Sequence, residues 1–232
     1  MNLDGGVGRD GYHSNYYGAR DWRFYRFLLS LVMTHGKYGK ILDVGCGTGL
    51  FVEAATRWGL DCVGVDGAEA AIRIALGRCA RLQVKQHLLS EPLPFFDESF
   101  QTVVINQVIE HLEPVVAGAV LLESFRVLVP GGLIYIGSPS RNNTKERLAD
   151  PTHINLYTPL ELLDLIRQTG FDGIIPLVDM LPIFGHTSIG SMVTRTIYKL
   201  SGRWERVSAS ANFVAFKPSA FSLRHLVGPV NE

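Results

Sequence analysis

Short apolar runs alternate with longer amphipathic segments along the chain. Five runs are rich in β-branched or other apolar residues and are bounded by glycine or polar residues, which is typical of buried strands. These runs are KILDVG, DCVGVD, LQVKQHL, FQTVVINQ and LIYIGSP. The segments between them, LFVEAATRWG, AEAAIRIALGRCA and VVAGAVLLESFRVL, have the length of helices. The alternation predicts a parallel sheet with helices on both faces, that is, a doubly wound α/β fold.

The pattern continues at both ends of this core. Apolar residues recur at helical spacing over about 19–35, which predicts a helix before the first strand. Thr158, Pro159 and Glu161 have the order of an N-cap, a first helical residue and a capping-box acid. A helix should therefore begin there and end at Gly170. GIIPLVDM and ANFVAFKP could form two further strands, and the sequence PGG before LIYIGSP predicts a turn.

These elements suggest how the chain is organised. Residues 1–36 should form an N-terminal arm and helix, 37–218 the main domain and 219–232 a C-terminal tail. Within the domain, 179–208 separates the last two predicted strands and has an apolar helical face, which either packs on the body or covers a substrate. The arm is either disordered or folds over a ligand with its tyrosines, Tyr12, Tyr16 and Tyr17.

The composition restricts the class of protein. The chain has 232 residues and 47% hydrophobic content, enough for one sizeable core. Lys+Arg and Asp+Glu both number 22, so no global positive field favours nucleic acid. No run of about 18 apolar residues occurs, so no membrane span is expected, and the polar, glycine-rich N-terminal sequence does not resemble a signal peptide.

The cysteines give no sign of a structural crosslink. Cys46, Cys62 and Cys79 are odd in number and have no C-x-x-C or histidine-rich spacing. Neither a disulfide framework nor a zinc site is suggested by this pattern. Free thiols are consistent with a reducing, cytoplasmic location.

Three glycines follow the first predicted strand at every second position. Gly45, Gly47 and Gly49 lie where that strand turns into a helix, the place at which doubly wound sheets bind ligands. Glycine permits positive φ and a close approach of the backbone to a ligand. Asp66 ends the second strand 66 − 45 = 21 residues after the first glycine, and an acid there can accept hydrogen bonds from both hydroxyls of a ribose.

Two kinds of ligand fit these residues, a dinucleotide or an adenosyl-sulfonium compound. The spacing G-x-G-x-G, in place of G-x-G-x-x-G, favours the second. So does Asp43 just before the turn, because an acid suits a cationic ligand better than a pyrophosphate.

The successive motifs together resemble a known family. ILDVGCGTGLF, GVD, LPFFDESFQTVVINQVIEHL and ESFRVLVPGGLIYIGSPS follow the order found in class I S-adenosylmethionine-dependent methyltransferases, and more narrowly resemble ubiquinone-type O-methyltransferases. The similarity covers about 38–172. It implies a Rossmann-like, mostly parallel seven-stranded sheet with an antiparallel last strand, and S-adenosyl-L-methionine as the cosubstrate.

The resemblance also assigns roles to residues of the cofactor site. Asp43 should order the amino group of the cosubstrate, and Asp66 should hold its ribose hydroxyls. The other expected contacts are Gly45, Cys46, Gly47 and Gly49 in the turn, Gly67 and Ala68 along the adenosine, Leu88 and Leu89 near the adenine, and Asn106 and Gln107 at the methionine end. Many relatives have an aspartate near the adenine, whereas this chain has QHLLSEPLPF there, so His87 or a backbone carbonyl would take the adenine amine.

A metal is not expected from the sequence. Ubiquinone-type relatives have an E-x-x-E-H motif tied to a metal, but here Gln107 replaces the first acid, while Glu110 and His111 remain. Hard cations prefer several carboxylate oxygens. Glu110 and His111 are therefore expected to cap or pack the following loop.

The expected chemistry is methyl transfer to a small-molecule acceptor, with oxygen assigned on family frequency alone. Transfer requires alignment of a nucleophile behind the methyl–sulfur bond, and a base helps when the nucleophile is a hydroxyl. His153 and His111 are the candidate catalytic residues. A nicotinamide-dependent oxidoreductase and a non-catalytic S-adenosylmethionine-binding module remain alternatives, and the protein could be a monomer or a homodimer.

Overall fold

The computed structural model describes residues 22–35, 39–143, 150–177 and 210–219. Seven strands within these residues form one sheet: β1 Ile41–Val44, β2 Cys62–Asp66, β3 Gln83–Gln86, β4 Phe100–Asn106, β5 Leu128–Pro139, β6 Asp172–Pro176 and β7 Ser210–Phe216. The described helices are α1 Arg26–His35, α2 Leu50–Arg57, α3 Glu69–Arg78, α4 Pro114–Val127 and α5 Pro159–Gln168. Short 3₁₀ segments cover Trp22–Tyr25 and Ile109–His111.

The strand order confirms the predicted fold class. The sheet has the order β3-β2-β1-β4-β5-β7-β6. β1 to β5 run parallel, and β7 is inserted antiparallel between β5 and β6. The order therefore reverses beside β1, which pairs with β2 on one side and β4 on the other. Such a reversal opens a crevice at the carboxyl ends of the strands.

Helices cover both faces of this sheet, as predicted. Every residue of β1 is buried, because a central parallel strand is covered from both sides. One face packs Leu42, Val103 and Ile136 against α4 and α5. The other packs Ile41 and Val104 against α1, α2 and α3.

The predicted start of α5 is confirmed in atomic detail. The Thr158 hydroxyl accepts a hydrogen bond from the Glu161 backbone N–H at 3.3 Å, and the Thr158 N–H donates to Glu161 Oε2 at 2.8 Å. This reciprocal pair is a capping box. Gly170 follows the helix with φ 102°, as expected of a terminating glycine.

The turn predicted at 130–132 is a bulge within β5. The pairing of β4 with β5 passes from Phe100–Leu128 to Thr102–Leu133, so extra residues accumulate on β5. Gly131 has φ 75°, and its N–H donates to the Lys217 carbonyl at 2.8 Å. The Lys217 N–H in turn donates to the Gly132 carbonyl at 2.9 Å. These hydrogen bonds hold residues 130–132 to the end of β7, so the segment stays paired with the sheet and does not form a separate loop.

Several predicted features lie outside the described residues. These are the tyrosines of the N-terminal arm, the apolar helical face within 179–208, and most of the 219–232 tail. Across the described ranges, no helix combines the length and apolar character needed to cross a bilayer.

A buried acid joins α2, α3 and the glycine turn. Glu53 on α2 is 4% exposed. Its Oε2 accepts a hydrogen bond from Arg78 Nε at 2.7 Å, and its Oε1 accepts from Arg57 Nη2 at 2.8 Å. Arg78 Nη2 also donates to the Thr48 carbonyl at 2.6 Å. The single guanidinium of Arg78 therefore fixes α2 and the turn relative to the end of α3.

We predict that Arg78→Met lowers the free energy of unfolding by about 1–3 kcal/mol, because bonds to a buried carboxylate and a carbonyl are lost. Arg73→Met is the matched control, since Arg73 lies on the same helix and pairs with Glu69 on the surface, where the two side chains are 70% and 62% exposed. The control should change stability by about 0.5 kcal/mol or less. Urea unfolding of both variants measures the difference, and equal losses would contradict the role given to Arg78.

Candidate functional site

The turn after β1 is held in a conformation that glycine alone adopts readily. Gly45, Gly47 and Gly49 have φ values of 72°, 52° and 70°. A Cβ on Gly45 would overlap the methyl groups of Val108. The N–H groups of Gly45 and Cys46 donate to the Val65 carbonyl at 2.8 and 2.9 Å, which ties the turn to β2.

Asp66 at the end of β2 closes this turn against the start of α3. Its Oδ2 accepts a hydrogen bond from the Gly47 N–H and its Oδ1 accepts one from the Ala68 N–H, both at 2.8 Å. The residue is 7% exposed. Each carboxylate oxygen has two acceptor sites, so the same group can still accept hydrogen bonds from ligand hydroxyls.

Asp43 places a second acid in this crevice. It is 4% exposed, on the β1 strand that leads into the turn. Burial, together with the negative charge of Asp66, raises the pKa of Asp43 to about 8. At neutral pH the carboxyl therefore holds its proton most of the time, and an adjacent cation would favour its ionised form.

Cys46 packs beside these acids in a space that a neighbouring glycine provides. A Cβ on Gly64 would lie 2.7 Å from Cys46 Sγ. Burial, followed by the charges of Asp43 and Asp66, raises the pKa of the Cys46 thiol. The thiol of Cys46 therefore keeps its proton at neutral pH.

The remaining predicted cofactor residues lie in the turn, after β2 and after β3. Gly49 faces α3 and β3, where an added Cβ would meet Ala75 Cβ at 3.3 Å, so it allows close packing of the turn. Gly67 lies near Leu88, whose methyl group would be 3.5 Å from an added Cβ. Leu88 is 51% exposed, and Leu89 packs partly buried against the core.

The carboxyl end of β4 contains a strained residue. Gln107 has φ 58°, an unusual value for a residue other than glycine. Its N–H donates to the Gly137 carbonyl at 2.7 Å, which holds this conformation at the end of the pairing with β5. Asn106, the preceding residue, lies beside Gly137, and so does the hydroxyl of Tyr135. Tyr135 is not identifiable from the sequence, because nothing in a strand pattern shows that its hydroxyl reaches this position.

The two candidate catalytic histidines lie together beyond β4. Their ring centroids are 4.8 Å apart. His111 Nδ1 lies 3.1 Å from the Thr152 carbonyl and 3.1 Å from its hydroxyl. Burial lowers the pKa of His111, and the nearby His153 adds to this effect. His111 is therefore mostly neutral at pH 7.

Glu110 and Asp150 complete this histidine group. Glu110 is fully buried, and its backbone carbonyl accepts a hydrogen bond from the Asn155 N–H at 3.0 Å. His153 Nε2 lies 3.7 Å from Asp150 Oδ2. One metal-ligating atom from each of Glu110, His111 and His153 lies within 4.8 Å of the others. His111 and His153 are both candidate catalytic residues from the sequence, but with 42 positions from one to the other (153 − 111) the sequence gives no sign that their rings meet.

A known protein family matches most of this chain. Residues 15–175 match the family described as methyltransferase domain. The match covers more than half of the chain, so the protein belongs to the methyltransferase domain family.

Individual relatives agree with this assignment. The ubiquinone biosynthesis O-methyltransferase of Roseobacter denitrificans is 33% identical over 150 residues, which cover 57% of this chain and 60% of that protein. A probable S-adenosylmethionine-dependent methyltransferase of Mycolicibacterium smegmatis is 29% identical over 158 residues, which cover 67% of this chain and 59% of that protein. The chain thus spans about three fifths of the length of these curated relatives.

Solved structures show the same fold. The crystal structure of a SAM-dependent methyltransferase from Archaeoglobus fulgidus superposes with a TM-score of 0.68 at 21% sequence identity. The superposition covers 88% of this chain and 97% of that one. The arrangement of strands around the β1 crevice is therefore that of a known methyltransferase structure.

We predict that Asp43 makes stability fall as pH rises. Its pKa is about 8 in the folded protein and about 4 in an unfolded chain. Between these values the folded state binds a proton that the unfolded state does not, so the free energy of unfolding decreases from about pH 4 to pH 8. Urea unfolding at pH 5 and pH 8 should show a smaller decrease in Asp43→Asn than in the parent.

Asp164→Asn is the control for this prediction, because Asp164 is 64% exposed on α5. It should keep the pH dependence of the parent protein. If Asp43→Asn keeps that dependence as well, Asp43 does not hold a proton in the folded state.

Proposed function

We propose that the protein is an S-adenosyl-L-methionine-dependent methyltransferase that transfers the methyl group to an oxygen atom of a small molecule. The observation that carries this proposal is the bond pattern of Asp66, whose carboxylate holds Gly47 and Ala68 at the point where the strand order reverses. This arrangement keeps the glycine turn close to an acid that can accept ribose hydroxyls. Because the chain belongs to the methyltransferase domain family, we assign S-adenosyl-L-methionine as the ligand of this arrangement.

The cofactor side of the proposed site follows the crevice from β1 to β4. The backbone of Gly45, Cys46 and Gly47 faces the amino-acid part of the ligand. Asp43 orders the ammonium group, and its own ionisation is favoured by that positive charge. The remaining contacts are proposed for Gly49, Gly67, Ala68, Leu88, Leu89, Asn106 and Gln107.

The acceptor side lies beyond β4, at the group formed by His111 and His153. An acceptor hydroxyl must lose its proton during methyl transfer, and these imidazoles are the proposed residues that assist this step. Asn106 and Gln107 end the strand between the two sides. The strained backbone of Gln107 fits this position, since such conformations occur often at functional sites.

Oxygen and a small acceptor are supported by two observations. The Roseobacter relative is named as a ubiquinone biosynthesis O-methyltransferase. The formal net charge of this chain is zero, which gives no general attraction for nucleic acid. We also propose a cytoplasmic location, which suits three cysteines that are free thiols.

The alternatives differ in a measurable way. The alternative of a nicotinamide-dependent oxidoreductase is disfavoured, because the family that matches the chain is that of methyltransferase domains. A non-catalytic S-adenosylmethionine-binding module would share the crevice but would transfer no methyl group. Release of S-adenosylhomocysteine in the presence of an acceptor separates the enzyme from the binding module.

We predict that Asp66→Ala weakens S-adenosyl-L-methionine binding at least about tenfold, because the ribose loses a charged acceptor. Isothermal titration calorimetry measures the dissociation constant. Asp164→Ala, an exposed acid on α5, is the control and should bind like the parent. Thermal melting of Asp66→Asn, which keeps the shape of the side chain, reveals any separate loss of turn stability. An unchanged dissociation constant in Asp66→Ala would show that Asp66 does not bind the ribose.

We predict that His153→Asn lowers turnover at least about tenfold while S-adenosylhomocysteine affinity stays within about twofold of the parent. The acceptor is found first by screening phenols and catechols for transfer of a labelled methyl group. His35→Ala at the end of α1 is the control, since His35 is remote in sequence from the proposed acceptor residues. Parent-like turnover in His153→Asn would remove this residue from the reaction.

A further inference from the structure

Arg141 joins the end of β5 to the loop that carries His153. It lies two residues after Pro139, the last residue of β5. Its backbone N–H donates a hydrogen bond to the Tyr157 carbonyl at 2.9 Å. Its Nε donates to the Leu156 carbonyl at 2.8 Å. The two residues with which the loop ends, Leu156 and Tyr157, are therefore both bound to Arg141.

The same side chain reaches the start of α5. Arg141 Nη1 donates to Glu161 Oε1 at 2.7 Å. The other oxygen of that carboxylate, Oε2, accepts a hydrogen bond from the Thr158 N–H in the capping box. Glu161 thus uses one oxygen to cap the helix and the other to hold Arg141. The guanidinium therefore ties the end of the loop to the helix that follows it.

A second contact joins the loop to the segment that contains His111. The Asn155 N–H donates to the Glu110 carbonyl at 3.0 Å. Asn155 directly precedes Leu156, and Glu110 directly precedes His111. A shift of the Leu156 carbonyl therefore acts on the hydrogen bond that holds the two histidine-bearing segments together.

We propose that Arg141 is a positioning residue for the acceptor side of the site. By holding Leu156 and Glu161, it keeps the ring of His153 beside that of His111, with 4.8 Å between the ring centroids. Arg141 acts through the loop and is assigned no contact with the reacting atoms. The catalytic consequence rests on the proposed function, whereas the effect on the two rings follows from the hydrogen bonds alone.

Apolar packing alone fixes the loop less closely than these hydrogen bonds do. Leu156 and Tyr157 are 5% and 9% exposed, so both are buried against the core. Hydrophobic burial is non-directional, and a buried segment can shift along its apolar contacts. The hydrogen bonds of Arg141 are directional, and its guanidinium donates to a carbonyl and a carboxylate at the same time.

A small displacement of the histidines lowers the rate if they assist methyl transfer. A general base must lie within hydrogen-bond reach of the proton that it removes. A misplacement of about 1 Å can reduce a rate by about a hundredfold. The cofactor turn is held by other hydrogen bonds, such as that from the Gly47 N–H to Asp66. Binding of the cosubstrate should therefore not depend on Arg141.

Arg141→Met tests the catalytic consequence, because it removes the side-chain donors and keeps an unbranched apolar stem. We expect turnover to fall at least about tenfold, while the dissociation constant of S-adenosylhomocysteine stays within about twofold of the parent. Turnover is measured with the acceptor found by screening phenols and catechols, and calorimetry gives the dissociation constant. A loss of S-adenosylhomocysteine affinity as large as the loss of turnover would indicate general damage and overturn the positioning role.

Lys217→Met is the matched control at the opposite end of β5. Lys217 Nζ donates to the Leu128 carbonyl at 2.7 Å and lies 3.5 Å from Glu98 Oε1. Like Arg141, it joins a carbonyl and a carboxylate through one charged side chain, but Leu128 begins β5, whereas Arg141 follows its end. The control should keep the turnover of the parent even if its melting temperature falls. Equal losses of turnover in the two variants would contradict the proposal.

Crystal structures of the parent and of Arg141→Met test the positioning without an acceptor. We expect the ring centroids of His111 and His153 to lie at least about 1 Å further apart in the variant, the scale of displacement that affects catalysis. Should Arg141→Met not fold, Arg141→Lys takes its place, since lysine keeps the charge but cannot donate in the two directions of a guanidinium. An unchanged separation of the rings in the folded variant overturns the proposal, whatever its turnover.

These measurements separate the positioning role from the proposed function. If the parent transfers no methyl group but the rings move apart in the Arg141 variant, the proposed function is wrong and the positioning by Arg141 is supported. If the parent transfers a methyl group and the variant keeps both its turnover and its ring separation, the positioning role is wrong and the proposed function is unaffected.

Discussion

The carboxylate of Asp66 is the constraint on which the candidate site depends. It accepts hydrogen bonds from Gly47 and Ala68, so one side chain fixes both walls of the crevice beside β1. The turn is held from its opposite side as well, because Arg78 donates to the Thr48 carbonyl. These anchors on the successive residues Gly47 and Thr48 support the left-handed glycine conformations of the turn. The crevice is thereby preorganised, which lowers the ordering cost of binding.

Two buried acids, Asp43 and Asp66, lie at the same crevice and repel each other when both are ionised. Burial raises the pKa of Asp43 and the negative charge of Asp66 raises it further, so Asp43 keeps its proton at neutral pH and the repulsion between the two acids is relieved. A ligand with a positive charge would relieve it in another way, by stabilising both carboxylates. Glu53 shows the contrasting solution within the same region, since it is buried but paired with two arginines and its pKa is lowered.

The sequence predicted features that depend on neighbouring residues and missed those that depend on distant ones. The capping box of Thr158 and Glu161 was predictable, because both partners lie within one helical turn. The parallel sheet with helices on both faces followed from the alternation of strands and helices, whereas the order of its strands did not. The approach of His153 to His111 was not predictable, because it arises from the path of a loop between β5 and α5. The bulge in β5 was also missed, since its hydrogen bonds go to Lys217 in a remote part of the chain.

Gly64 on β2 restricts which residues can occupy this part of the sheet. The strand is fully buried, and the absent side chain of Gly64 makes the space that Cys46 fills. The two positions thus share one fixed volume. A related sequence with alanine or valine at position 64 would need a smaller residue at position 46, so substitutions at the two sites should be correlated among homologues.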